Sequence, residues 1–263
     1  MPNRIAAITG ASAGLGTVFA RKLAAQGYDL LLIARRRERL EKLARELTHS
    51  HGIAVEVCAA DLADEAGITA AAARLSVEQR LHLLINNAGF GTVGRFHEID
   101  VEGQTAMHRV HMDATMRLSH AALRGMVARN AGAIVNVASV AAFARSPANV
   151  SYCATKAWIN AFTEGLYLEL AGLGSNVTVQ ALCPGFTYTE FHDVIGIDRS
   201  KIPNWLWMPA DFVVDASLAA IPKRKLFVIP GVKYRLIVAF MTKIPTALRL
   251  KMEARSPHTR DRM

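Results

Sequence analysis

Ile5-Ala6-Ala7-Ile8-Thr9-Gly10-Ala11-Ser12-Ala13-Gly14-Leu15-Gly16 decides the fold of this 263-residue chain. A short apolar run without polar alternation reads as a strand covered on both faces, as in parallel sheets. Three glycines in GxxxGxG spacing follow at once, and residues 17–26 continue with a helical pattern. Glycines at such a strand–helix junction allow a tight turn and a close backbone approach. The helix N-terminus beyond favours an anion such as a pyrophosphate. The spacing departs from the GxGxxG dinucleotide fingerprint, so the loop alone leaves open a glycine-rich turn with no ligand.

Working outward, the same unit repeats. Strands are predicted at 5–9, 28–33, 54–58, 81–86, 133–138 and 177–182, each short and rich in Val, Ile or Leu. Helices are predicted between them at 17–26, 36–49 and 64–79, with two longer ones at 103–129 and 153–172. Such βαβ alternation predicts an α/β fold: a Rossmann-like, doubly wound parallel sheet in three layers, forming a single domain over 1–263. No repeat, low-complexity run or linker interrupts it.

Arg35 stands 19 residues beyond Gly16, at the end of the second strand. An acid near that place would bind the ribose 2′-hydroxyl of NAD, whereas an arginine accommodates the 2′-phosphate of NADP. From the strand end no Asp or Glu occurs until Glu38, which favours NADP(H). The alternative is that Arg35, Arg36 and Arg37 form a solvated helix start.

Composition bounds the class. Three widely spaced cysteines, Cys58, Cys153 and Cys183, offer neither a disulfide framework nor zinc-ligand spacing, so no metal site is expected. The start runs directly into an apolar strand without a secretory h-region, and a cytoplasmic location is expected. The formal charge of +9 is localised. Residues 222–263 hold 11 Lys/Arg against 2 Asp/Glu, while the remaining body holds 20 of each. A neutral body with a basic tail does not require nucleic acid as a partner.

The second diagnostic stretch is Tyr152-Cys153-Ala154-Thr155-Lys156, preceded by Ser139 at a strand end. On a helix, positions 152 and 156 share a face. Ionising a phenol of pKa near 10 at neutral pH costs roughly 4 kcal/mol. An ammonium about 4 Å away offsets an energy of that order at an effective dielectric near 20. A solvated surface pair is the bland alternative for this motif standing alone.

Taken together, Thr9–Gly16, Asp61 after strand three, Asn86-Asn87-Ala88-Gly89 after strand four, Ser139, Tyr152-x-x-x-Lys156 and Pro184-Gly185 after strand six resemble the short-chain dehydrogenase/reductase family over roughly residues 4–190. The resemblance implies interconversion of a carbonyl and a secondary alcohol by hydride transfer, on a small-molecule substrate. It implies that Ser139 binds the substrate oxygen, that Tyr152 passes it a proton, and that Lys156 binds the nicotinamide ribose and depresses the tyrosine pKa. Gly10, Ser12, Gly14, Leu15 and Gly16 would cradle the phosphates. Asp61 and Leu62 would meet the adenine, and Asn86 and Ala88 the cofactor backbone. Pro184, Gly185 and Thr187 would meet the carboxamide end, and Ser12 with Arg35 the 2′-phosphate. Asn87 is expected to tie neighbouring strands. A homodimer or homotetramer is also implied. A non-catalytic NADP(H)-sensing or scaffold protein on the same fold is the competing function; it would be expected to lose Tyr152 or Lys156.

One position departs from the family pattern. Where it carries Asn in a Val-Asn pair, this chain has Val110-His111. Imidazole also donates and accepts, and titrates near pH 6.5. His111 is therefore expected either to take over the proton relay or to be a packed histidine.

The remaining segments are variable. Residues 188–209 fall where the family places its substrate lid and carry Phe191, Ile195, Ile197, Trp205, Leu206, Trp207 and Met208. They imply a lipophilic substrate, or else aromatics that pack the lid onto the body. The basic tail, about 222–263, has no apolar run near the roughly 20 residues of a spanning helix. Residues 232–254 form a basic amphipathic pattern suited to peripheral contact with an anionic membrane, to covering the body, or to oligomer contact. The oligomeric habit of the family favours the last two.

Overall fold

The computed structural model describes residues 4–191, 196 and 198–255. Its centre is a parallel sheet of seven strands: β1 Ile5–Thr9, β2 Asp29–Ala34, β3 Val55–Ala59, β4 Leu81–Asn86, β5 Ala133–Val137, β6 Thr178–Leu182 and β7 Phe227–Val228. Their spatial order is β3-β2-β1-β4-β5-β6-β7. The order reverses between β1 and β4, which opens a crevice at the carboxyl ends of the strands.

The helices are α1 Gly14–Ala25, α2 Arg37–His51, α3 Glu65–Ser76, α4 Val101–His108, α5 Thr115–Ala128, α6 Val150–Gly172, α7 Ala210–Leu218, α8 Val232–Lys243 and α9 Thr246–Arg255. They cover both faces of the sheet, which is why its strands carry no polar alternation. Ala6 and Ile8 of β1 face Phe19 and Leu23 of α1, Leu40 and Leu43 of α2 and Val213 of α7. Ile5 and Ala7 face Ile68 and Ala71 of α3 and Leu118 and Met126 of α5. A leucine-sized side chain buried this way contributes about 1.5–3 kcal/mol, and both layers lie on neighbouring residues of one strand.

The six predicted strands and the Rossmann-type three-layer fold are all present, with boundaries displaced by a residue or so. Three differences bear on function. The stretch predicted as one helix over 103–129 is interrupted by a π-helical turn, Arg109–Ala114, which rotates His111 into the interior. The tail is partly body, since Phe227–Val228 pairs with Ala181–Leu182 as the seventh strand. The amphipathic stretch at 232–254 is two helices, broken at Ile244-Pro245, because proline opens a helix readily but cannot sit within one.

Candidate active site

One cavity of about 800 Å³ runs across the carboxyl ends of the strands, from Ser12, Arg35 and Asp61 to Ser139, Tyr152 and Lys156. At its first end α1 begins at Ala13–Gly14 with no side-chain cap and no acid in its first turn. Its free N–H groups face the cavity wall made by Gly10, Ser12, Gly14 and Leu15. An uncapped helix start of this kind is an anion cradle. The site therefore fits a dinucleotide pyrophosphate. Asp61, Leu62, Ala88, Pro184, Gly185 and Thr187 line the same cavity.

Two expected contacts take other roles. Gly16 does not line the cavity. A Cβ there would lie 2.3 Å from the carbonyl oxygen of Gly10, so this glycine lets α1 close onto the loop. Asn86 points away from the cavity: its side-chain amide donates to Ser119 Oγ at 3.0 Å and to Asn136 Oδ1 at 2.9 Å. Consecutive strand residues face opposite sides, so Asn87 is the one turned to the cavity. It also ties strands, donating to the Thr9 carbonyl at 2.9 Å. Ser12 and Arg35 both line the cavity, and so does Arg36. Arg36 Nε donates to Ser12 Oγ at 3.1 Å, while Arg35 lies 3.6 Å from the Asp61 carboxylate. The strand end thus offers two guanidinium groups beside Ser12, of which the sequence reading named one. Arg36 also meets Glu190, at 2.7 Å, and Arg39 meets the same carboxylate at 3.2 Å.

At the far end, Tyr152 and Lys156 occupy one face of α6 beside the start of the turn after β5. Ser139 has an extended backbone, and its Oγ accepts from Ala141 N at 3.1 Å. Its hydroxyl makes a long contact of 3.5 Å to the Pro184 carbonyl and is hydrogen-bonded to Tyr152. Lys156 is buried, and its ammonium donates to the Val137 carbonyl at 2.8 Å, 5.8 Å from the centre of the Tyr152 ring. Burial pushes the Tyr152 phenol up to about 12, against which the hydrogen bond to Ser139 works. Burial likewise pushes Lys156 down to about 7. The depressed phenol expected from the Tyr–Lys spacing is not found in these residues by themselves, because desolvation outweighs the Ser139 hydrogen bond.

His111 is buried under this pair. Its Nδ1 lies 2.8 Å from Thr155 Oγ1, and that hydroxyl spends its only hydrogen on the Tyr152 carbonyl, 3.0 Å away. Thr155 can therefore only accept from the ring, which places the imidazole hydrogen on Nδ1 and leaves Nε2 a bare acceptor. Among the described residues Nε2 has no hydrogen-bond partner. A Cβ built on Gly89 would lie 2.6 Å from Nε2 and 3.7 Å from Lys156 Nζ, so both nitrogens converge on this one glycine. Burial, with the Lys156 charge, holds His111 well below its ordinary pKa. The ring does not titrate near pH 6.5, contrary to the expectation from its free value.

The mouth is walled by residues distant in sequence. Phe186, Phe191 and Leu206 line it with Ile237, Val238 and Met241 of α8. Neither lid tryptophan does. Trp207 is buried and stacks on Tyr188 at 5.0 Å, holding the lid to the body, and Trp205 points outward. Met208 also packs inward, while Ile195 and Ile197 lie outside the described residues. Tyr234 of α8 fixes the rim: its hydroxyl accepts from Phe186 N at 2.9 Å and donates to the Leu206 carbonyl at 2.7 Å. Its ring lies against Gly185, where any Cβ would fall 2.0 Å from a ring carbon. Sequence reasoning passed over Tyr234. The obligatory glycine at 185 and an aromatic on the buried stripe of α8 were the only hints. Cys153 and Cys183 are buried, and burial pushes the Cys183 thiol up to about 12, so neither acts as a nucleophile here. Asp113 is exposed, as its helix position implied.

A dinucleotide cleft at a sheet switch point, ending on a phenol held beside an ammonium and a serine, defines a Rossmann-type oxidoreductase. The chain belongs to the short chain dehydrogenase family, which residues 4–199 match. Enzymes of this family use a nicotinamide cofactor and act on alcohol and carbonyl groups. The chain is 38% identical over 188 residues to galactitol 2-dehydrogenase (L-tagatose-forming) from Cereibacter sphaeroides, covering 70% of this chain and 72% of that one. A short-chain dehydrogenase from Sphingobium yanoikuyae, solved with NADPH, superposes with a TM-score of 0.82 at 36% identity, over 93% of this chain and 97% of that one. The bulky-bulky ketone specific alcohol dehydrogenase from Comamonas testosteroni has a TM-score of 0.78 at 28% identity, over 94% and 97%. Both NADPH-bound and NAD-bound chains occur among the similar solved structures.

Proposed function

We propose that this protein is an NADPH-dependent reductase that interconverts a lipophilic carbonyl compound and its secondary alcohol, with Tyr152 as general acid and base. The observation that carries this is one continuous cavity with an anion cradle and Arg36–Ser12 at one end and Ser139, Tyr152 and Lys156 at the other. Preference for NADP(H) rests on Arg36 and Arg35, whose guanidinium forks match a 2′-phosphate. A lipophilic substrate is supported by the wall of Phe143, Phe186, Phe191, Leu206, Ile237 and Met241.

A nicotinamide held between the anion cradle and Lys156 would supply or accept the hydride. Ser139, whose hydroxyl is hydrogen-bonded to Tyr152, offers it to the substrate oxygen as well. With its pKa near 12, Tyr152 is fully protonated at neutral pH and donates as the oxygen gains charge. Lys156, half-charged near pH 7, places a positive charge on the tyrosinate face. His111 acts as a fixed acceptor for the Lys156 side of the relay. Its tautomer is set by Thr155, and it works as a neutral ring in place of the family's asparagine. Replacing His111 with Asn then preserves the rate, while Leu lowers kcat by ~10²-fold with KM little changed. Equal pH profiles for His111→Leu and the parent enzyme from pH 6 to 9, at equal rate, would refute the relay.

The competing scaffold function predicts tight NADPH binding without turnover. A buried lysine that burial disfavours is costly in a protein with no chemistry to perform, which speaks against it. Exposed Met116, Tyr167 and Leu168 on α5 and α6 support a homo-oligomer. The test of function is a panel of ketones, aldehydes and secondary alcohols, followed by nicotinamide absorbance with NADPH and NADH. Turnover of bulky apolar carbonyls with NADPH is expected; no oxidation or reduction across the panel would overturn the assignment.

A further inference from the structure

We propose that α8 seats this protein on an anionic lipid surface, with the mouth of the cavity turned toward the lipid. Residues four apart on a helix lie above one another, and α8 has two apolar stripes instead of one. Tyr234 and Val238 are buried on the body, with Met241 half-buried beside them. Val232, Leu236 and Phe240 form the opposite stripe and are 59%, 66% and 59% exposed. A helix that only covered the body would need no second stripe.

The flanks of that stripe are basic. Lys233, Arg235 and Lys243 are exposed on α8, which contains no acid. Across residues 222–255 there are nine Lys/Arg and one acid, Glu253. Trp205, 56% exposed, extends the patch, with Lys233 Nζ 5.3 Å from its ring centre. Leu248 and Leu250 on α9 are exposed as well. Tryptophan and lysine beside exposed aliphatics suit a headgroup interface. A second copy of the chain is the poorer occupant. A two-fold contact over Leu236 and Phe240 would bring Lys233, Arg235 and Lys243 toward their own counterparts without carboxylates. Lipid phosphates complement them.

The same helix contributes Ile237, Val238 and Met241 to the cavity wall; Ile237, 40% exposed, lies between the two stripes and joins the entrance to the lipid-facing side. A carbonyl compound that partitions into a bilayer would reach the site without crossing water. This consequence rests on the proposed lipophilic substrate; the binding itself does not. Among the described residues no helix is long and apolar enough to cross a membrane, so the contact is peripheral.

The experiment is co-sedimentation of the full chain, loaded with NADPH, with vesicles of phosphatidylcholine alone or mixed with phosphatidylglycerol. Binding to the anionic vesicles, released by salt, is expected. Arg235→Ala with Lys243→Ala lowers the partition coefficient by about 25-fold, at about five-fold per basic residue. Leu236→Asp with Phe240→Asp abolishes binding while turnover of a water-soluble carbonyl stays unchanged, which separates this claim from the catalytic one. Failure of the parent protein to bind, or binding indifferent to the paired aspartates, overturns the proposal. So does dissociation of an oligomer by those aspartates, read by sedimentation velocity, in a parent that ignores the vesicles.

Discussion

The two ends of the cavity are built by different means. The dinucleotide end is made from strand termini and the loop between β1 and α1, all within a few residues of one another in sequence or register. The mouth is made from side chains that meet across long chain distances, as Tyr234 does with Phe186. The first end is rigid and shared by a family; the second distinguishes one member from another. The lesson is that cofactor chemistry is written locally, whereas substrate choice is written in contacts that form only after the sheet has closed.

The largest expected effect lies where the ends meet. Lys156→Met removes the charge beside Tyr152 and lowers kcat by ~10³-fold. The same change stabilises the protein. The folded lysine, near 7, sits below its usual 10.5, so the unfolded chain binds more protons between those values and the parent's stability rises with pH across that window. The penalty removed by methionine is therefore full below pH 7 and fades toward pH 10.5. Removal of the donor to the Val137 carbonyl offsets about 1–3 kcal/mol of it. Thermal melts at pH 6 and pH 10 check the sign: Tm rises by a few degrees at pH 6 and not at pH 10.

Gly185→Ala strikes where the carboxamide end meets the mouth. Its Cβ would fall against the Tyr234 ring, so the rim must shift, at about 1–3 kcal/mol. KM rises more for a bulky carbonyl than for a small ketone at saturating NADPH; steady-state kinetics with the two ketones reads the split. At the other end, Arg36→Ala weakens NADPH by about tenfold or more and leaves NADH unchanged, measured by fluorescence titration. The smallest effect is Glu190→Gln, which frees Arg36 and Arg39 from a carboxylate and tightens NADPH by a few-fold in the same titration.

Legibility in the sequence follows the same division. Five of the six longer strands could be read because both their faces are buried, which makes them mostly apolar; the edge strand β3, with Glu56 exposed, was legible from Val55, Val57 and Cys58. Ser139, Tyr152 and Lys156 could be read because a strand end and one helical turn bring them together without help from elsewhere. Register within a strand was harder: the assignment of Asn86 and Asn87 turns on parity. The signal was there, since Leu83 and Ile85 join one core and Leu84 the other. The π-helical turn that buries His111 adds a residue to a helix without any composition cue. The two-residue β7 is too short for a pattern. Tyr234 and the packing role of Trp207 belong to contacts that no local window contains.

The most direct measurement is on Tyr152→Phe, which keeps the ring and removes only the hydroxyl. Single-turnover reduction of a bulky ketone should fall by about 10²–10⁴-fold, with NADPH binding measured by fluorescence unchanged and the residual rate free of the parent's pH dependence. A variant that still transfers hydride at the parent rate would contradict the assignment of the proton to this phenol, however well the dinucleotide fits.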